Sequence, residues 1–130
     1  MYEMNITLLG NFNDIKEKLL AVLKEQQLGV VSEVDVQATM KNKLDISIPA
    51  YQILGACNPK LALQIIEEDP NAGNLLPCNF ILREAEAGKI VVSFMDPVTV
   101  LGLAESDNIN KIAQTAKEKI QRVLTKLAKV

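Results

Sequence analysis

Histidine and tryptophan are absent from this chain, cysteine occurs twice, and aromatic residues make up only 4% of the sequence. Without an imidazole, any proton transfer falls to a carboxylate, a lysine, a thiol or Tyr51. Cys57 and Cys78 are the only soft nucleophiles or soft metal ligands. With so few aromatics the core must be Leu, Ile, Val and Ala, and a hydrophobic fraction of 48% supports one. No apolar run approaches the ~20 residues of a membrane-spanning helix. The start, Met1-Tyr2-Glu3-Met4-Asn5, lacks the basic and apolar regions of a signal peptide, so a cytosolic location with reduced thiols is expected. Positive charge is also in deficit. The 14 Lys and Arg are interleaved with 16 Asp and Glu for a net charge of −2, which argues against a nucleic-acid partner. The glycines are scattered, so no phosphate-cradling loop is present, and no serine lies in a nucleophile-elbow pattern. The sequence names no cofactor.

What is present points to one domain spanning residues 1–130, long enough to fold without a disulfide or a metal. Met4 to Leu9 reads as a strand. Asn11 to Gln27 reads as a helix, with Phe12, Ile15, Leu19, Val22 and Leu23 at helical spacing, Asn13 or Asp14 as its cap and Gly29 as its stop. Val30 to Val36 alternates like a half-buried strand. Ala38 to Leu44 is a short helix, ended before Pro49, and Tyr51 to Ala56 is an apolar, central strand. Asn58 and Pro59 suit the N-cap and first position of a helix running to Glu68. Asp69 to Gly73 is a turn cluster. Cys78 to Ala85 and Lys89 to Met95 form a hairpin through Glu86-Ala87-Gly88. Val98 to Leu103 adds a helical turn, and Asp107 to Lys129 keeps helical spacing throughout. The expected fold class is α+β. It has two layers, a mostly antiparallel sheet of about five strands with helices on one face, close to the ferredoxin-like split βαβ plan.

The candidate site is the pair of cysteines, each followed by an asparagine: Cys57-Asn58 and Cys78-Asn79. Cys57 is placed at a strand end before a helix N-terminus, where free N–H groups would favour its thiolate. A small buried residue closing a strand is the plainer reading, because free cysteine is among the most buried residue types. The 21-residue spacing matches no metal or redox pattern, but if the two strands are neighbours the thiols could converge. Zinc usually needs four ligands, which two chains could supply across a two-fold axis. Asn58 is explained as a cap, whereas Asn79 either bonds a turn backbone or lines a pocket with Cys78. The long terminal helix has an apolar face wide enough to serve both the core and a second subunit, so a homodimer is expected.

The segments Ile53-Leu54-Gly55-Ala56-Cys57-Asn58-Pro59-Lys60-Leu61-Ala62 and Leu75-Leu76-Pro77-Cys78-Asn79 resemble the domain-of-unknown-function family 302. Glu33-Val34-Asp35-Val36-Gln37-Ala38-Thr39-Met40-Lys41 is similar to that family's E-I-D-V-x-A-T-x-K segment, and Asp96-Pro97 to its D-P after the last strand. The resemblance covers about Phe12 to Pro97. It implies a small α+β domain of bacteria and archaea, dimeric in some members and found in some alongside sulfur-handling domains. It implies no catalytic residue. The motif cysteines fall on Cys57 and Cys78, and the motif asparagines on Asn58 and Asn79. Two functions follow as expectations. One is thiol-based sulfur or redox handling, or soft-metal binding, in which Cys57 attacks or ligates and Cys78 resolves or co-ligates. The other is a non-catalytic dimeric module that binds a small molecule or a protein, with structural cysteines.

Overall fold

A period-two alternation in Cys78–Glu86 and Lys89–Met95 forms the spine of the fold. Phe80 and Leu82 point to one side with Ile90, Val92 and Phe94, and the stacked rings of Phe80 and Phe94 lie 4.6 Å apart across the ladder. The computed structural model, which describes residues 1–129, arranges five strands and five α-helices around this hairpin. In chain order they are β1 (Glu3–Leu9), α1 (Phe12–Glu25), β2 (Gly29–Asp35), α2 (Val36–Leu44), β3 (Tyr51–Cys57), α3 (Pro59–Glu68), β4 (Cys78–Glu86), β5 (Lys89–Met95), α4 (Pro97–Leu101) and α5 (Asp107–Leu127). A 3-10 helix at Pro70–Leu75 leads into β4, so the expected turn cluster is itself helical.

The sheet order is β1-β5-β4-β3-β2, with every neighbouring pair antiparallel. The fold is α+β, as expected. β1 and β2 run in the same sense and are joined through α1, as in a split βαβ unit. Here β5, β4 and β3 all stand between them.

One face of the sheet carries Leu54, Ala56, Phe80, Leu82, Ile90, Val92 and Phe94 into a single core with Ile15, Leu19 and Leu23 of α1 and Ile120, Val123 and Leu127 of α5. A smaller cluster of Ile65, Ala72, Leu101, Ile109 and Ala113 joins α3 and α4 to the first half of α5. The terminal helix therefore spends its apolar stripe on two internal clusters. Asp96, buried at the end of β5, ties these parts together. Its backbone N–H donates to the Tyr2 carbonyl at 2.7 Å, and one carboxylate oxygen accepts from the Val98 N–H at the start of α4. The other accepts from Lys117 Nζ of α5 at 2.8 Å.

Three local expectations are corrected. Asn11, not Asn13 or Asp14, caps α1. Its side chain accepts from both of those N–H groups because it precedes them at the extended position. The helix stops before Gly29, with Gln27 taking the left-handed conformation at φ 57°, and Gly29 opens β2. β2 is not half-buried. It is a sheet edge with a bulge between Val30 and Ser32, and all seven of its residues are exposed.

Candidate functional site

The two cysteine-asparagine segments meet at the end where β3 and β4 pair. The strands are neighbours, but the register sets Ala56, not Cys57, opposite Cys78. Successive residues of a strand point to opposite faces. The thiols are therefore out of register, do not form a disulfide, and are both free. Each borders an apolar cavity of about 30 Å³, shared with Leu61 and Ile65 of α3, Leu101 of α4 and Ala116 of α5. That space is small, and its mostly apolar lining offers a water few partners.

The chemistry of these thiols runs against the expectation of an activated thiolate. Burial pushes the Cys57 thiol up from its ordinary value. Burial pushes Cys78 up further, to about 11, with the charge of Cys57 adding to it. The start of α3 offers the thiols fewer donors than its position suggests. Pro59 has no N–H, and the Leu61 N–H donates to Asn58 Oδ1 at 3.1 Å. Burial therefore favours the neutral form of both thiols, and a neutral thiol is a poor nucleophile. Among the described residues no group of three or more Cys, Asp or Glu gathers as a metal site.

The asparagines divide between two tasks. Asn58 caps α3 and donates from Nδ2 to the Gln27 carbonyl at 3.1 Å, which fastens the α1–β2 connection to the start of α3. Asn79 is exposed and points to the opposite face of the sheet from Cys78 and Phe80. The motif also contains a contact that the sequence reading missed. Gly55 is buried, and a Cβ built there would lie 2.4 Å from Pro77 Cγ and 2.4 Å from Ser32 Oγ. The glycine of the first segment is therefore where the proline of the second rests on the sheet.

The uncovered face is the larger feature. Its cross-strand rows are Thr7-Val91-Arg83-Tyr51, then Asn5-Ser93-Ile81-Ile53-Val34, with Glu3-Met95 and Asn79-Gly55-Ser32 at the end beyond them. The β1, β5 and β4 part of this face, with Tyr2 and Tyr51, lines a groove of about 450 Å³ that includes Ile81, Val91 and Met95. Arg83 takes part in no salt bridge among the described residues. Glu3 accepts both Nδ2–H donors of Asn5, at 2.8 and 2.9 Å, and the Ser93 hydroxyl at 2.8 Å. These bonds hold its carboxyl below the ordinary carboxylate value against the opposing effect of burial. The alternation of Asn79, Ile81 and Arg83 against Cys78, Phe80 and Leu82 was the signal for this face, since it mixes polar and apolar side chains away from the core.

The profile of a family described as domain of unknown function DUF302 matches residues 4–127. A solved crystal structure, that of the uncharacterized conserved protein DUF302 from Bacillus stearothermophilus, superposes with a TM-score of 0.89. It is 22% identical in sequence and covers 98% of each chain. At that identity the likeness is one of fold. No curated protein matches the chain.

Proposed function

Starting from the premise that the chain belongs to the DUF302 family, which is defined by a domain of unknown function, we propose that it is a non-catalytic binding module. Its open sheet face takes up a small molecule, and its cysteines are structural. One observation carries this reading: the core formed with α1 and α5 lies on one side of the sheet, while the other side keeps a groove of about 450 Å³ in which Arg83 forms no salt bridge among the described residues. A groove of that volume is in the range of small-molecule sites, and its lining sets Ile81, Val91 and Met95 among the polar groups of Glu3, Asn5, Asn79, Arg83 and Ser93. The competing thiol reading has Cys57 attacking or ligating and Cys78 resolving. It would need at least one thiol held as thiolate, and burial works the other way at both.

Titration with 1-anilinonaphthalene-8-sulfonate, an apolar anion that fluoresces on leaving water, tests the reading. Saturable binding is expected, with amide shifts at Asn79, Ile81, Arg83 and Ser93, and with no loss in Cys57→Ala or Cys78→Ala. Absence of binding, or binding abolished by Cys57→Ser, overturns it.

The module is also proposed to be dimeric, with β2 as the shared edge. Val30, Val31 and Val34 are 36%, 62% and 48% exposed there, on a strand with a partner along one side only. The bulge between Val30 and Ser32 and the charges of Glu33 and Asp35 guard part of this edge, and the exposed valines leave the rest open to another strand. Sedimentation should give a dimer at micromolar concentration and a monomer for Val34→Lys. A monomeric parent at every concentration removes the dimer and leaves the groove.

A further inference from the structure

The groove carries one uncompensated charge at each end. Arg83 lies in the row Thr7-Val91-Arg83-Tyr51, and Glu3, opposite Met95, lies four residues before Thr7 on β1. Neither forms a salt bridge among the described residues. Four residues along the strand and two strands across put their Cα atoms about 16 Å apart, from the standard rise and strand spacing. They do not meet across that span. Asn5 and Ser93 hold the Glu3 carboxylate in place by hydrogen bonds without neutralising it. Ile81, Val91 and Met95 provide the apolar floor between the two charges, and Ser93 is the polar group along the way.

From this charge arrangement we propose that the groove binds an elongated zwitterion. Its apolar body lies along Val91, Ile81 and Met95, its carboxylate or sulfonate end is held by Arg83, and its primary ammonium end is held by Glu3. The inference rests on the open face being the binding site. A planar guanidinium suits a carboxylate or sulfonate in two-point contact, and an acceptor-only carboxylate suits an ammonium donor. A ligand with one charge leaves the opposite end of the groove covered but unpaired, so the groove discriminates by penalising the wrong ligand as well as by attracting the right one.

Three probes of one chain length separate the possibilities: 12-aminododecanoate, dodecanoate and dodecylamine. Each is titrated below its micelle-forming concentration against the whole chain, with amide shifts and heat of binding as readouts. The zwitterion is expected to bind about tenfold more tightly than either singly charged probe. Arg83→Gln should bring 12-aminododecanoate down to the level of dodecylamine, and Glu3→Gln should bring it down to the level of dodecanoate, with both variants retaining the parent's far-ultraviolet spectrum. Equal affinity for all three probes, with shifts still confined to the open face, overturns the zwitterion and leaves the binding face standing. Failure of all three where 1-anilinonaphthalene-8-sulfonate still binds has the same meaning. Failure of every probe, the sulfonate included, overturns the binding face as well.

Discussion

Gly55 shows how much one missing side chain does in this protein. The hydrogen on its Cα leaves the room that Pro77 and Ser32 fill on the open face of the sheet. Gly55→Ala would bring a methyl group against both. The serine hydroxyl can turn aside, but the prolyl ring is rigid, so the loop before β4 has to lift. We expect a loss of about 1–3 kcal/mol, the usual range for overpacking, read as a lower denaturant midpoint with an unchanged slope. At this scale the two motif segments were conspicuous in the sequence, and the reason for them was only half legible. Asn58 followed by Pro59 announced a helix start, because both residues act within a few positions of themselves. The contact of Gly55 with Pro77 joins positions distant in sequence and depends on strand register, which no local pattern encodes. The direction of the Cys57 shift was misjudged for a related reason. A helix N-terminus can be read from the chain, whereas the burial that outweighs it comes from α3, α4 and α5 closing over the thiols.

The elements that were easy to foresee are those whose period is sustained. α5 buries Ile109, Ala113, Ala116, Ile120, Val123, Leu124 and Leu127 at helical spacing, and the β4–β5 hairpin turns where Gly88 adopts φ 79°. β2 misled because alternation reports that a strand has two different faces, not that either one is covered. Its valines alternate with Ser32, Glu33 and Asp35 on a strand exposed along its whole length, interrupted by a bulge that the sequence does not mark. α2 repeats the lesson. Val36 and Met40 are half-buried, Leu44 is exposed, and the helix has no buried residue, because it extends from an edge strand with only β3 beside it. Asp35 ends β2 and caps α2 at once by accepting from the Ala38 N–H at 2.9 Å, so the two elements meet without a loop.

For the whole molecule, the layer arrangement followed from counting strands and helices, but the order of strands did not. That order places the open face and its groove, so the site could not be located from the sequence even though Asn79 and Tyr51 had been noticed. Asp96 fixes the arrangement at one point by joining β1, β5, α4 and α5. Burial alone would raise its carboxyl. The hydrogen bond from Lys117, the N–H groups of Val98 and Thr99 and the lysine's charge outweigh burial and hold it below the ordinary 3.8. A carboxyl lowered on folding contributes stability above its unfolded value, and that contribution is lost as the pH falls through the folded one. Lys117→Met leaves a buried carboxylate without its cation and should cost about 1–3 kcal/mol near neutral pH. The difference from the parent should shrink as the pH falls through the parent's folded value, which lies below 3.8, because only there does Asp96 become protonated in both proteins. Thermal melts of the two proteins across that range check the sign.

The pairing of β1 with β5 has a consequence in time. Glu3 faces Met95, so the first strand made is the last to find its neighbour. At ribosomal rates of about 5–20 residues per second, β1 waits roughly 5–18 s for β5 to be synthesised. During that interval Met4, Ile6 and Leu8, which will pack against the core, have no sheet to join. β2, β3 and β4 can assemble in order as they are made, each against the strand before it. Closure of the sheet is a separate, long-range event that follows the hairpin, and the nascent chain carries an unpaired apolar strand until then, which is when a chaperone would have access to it.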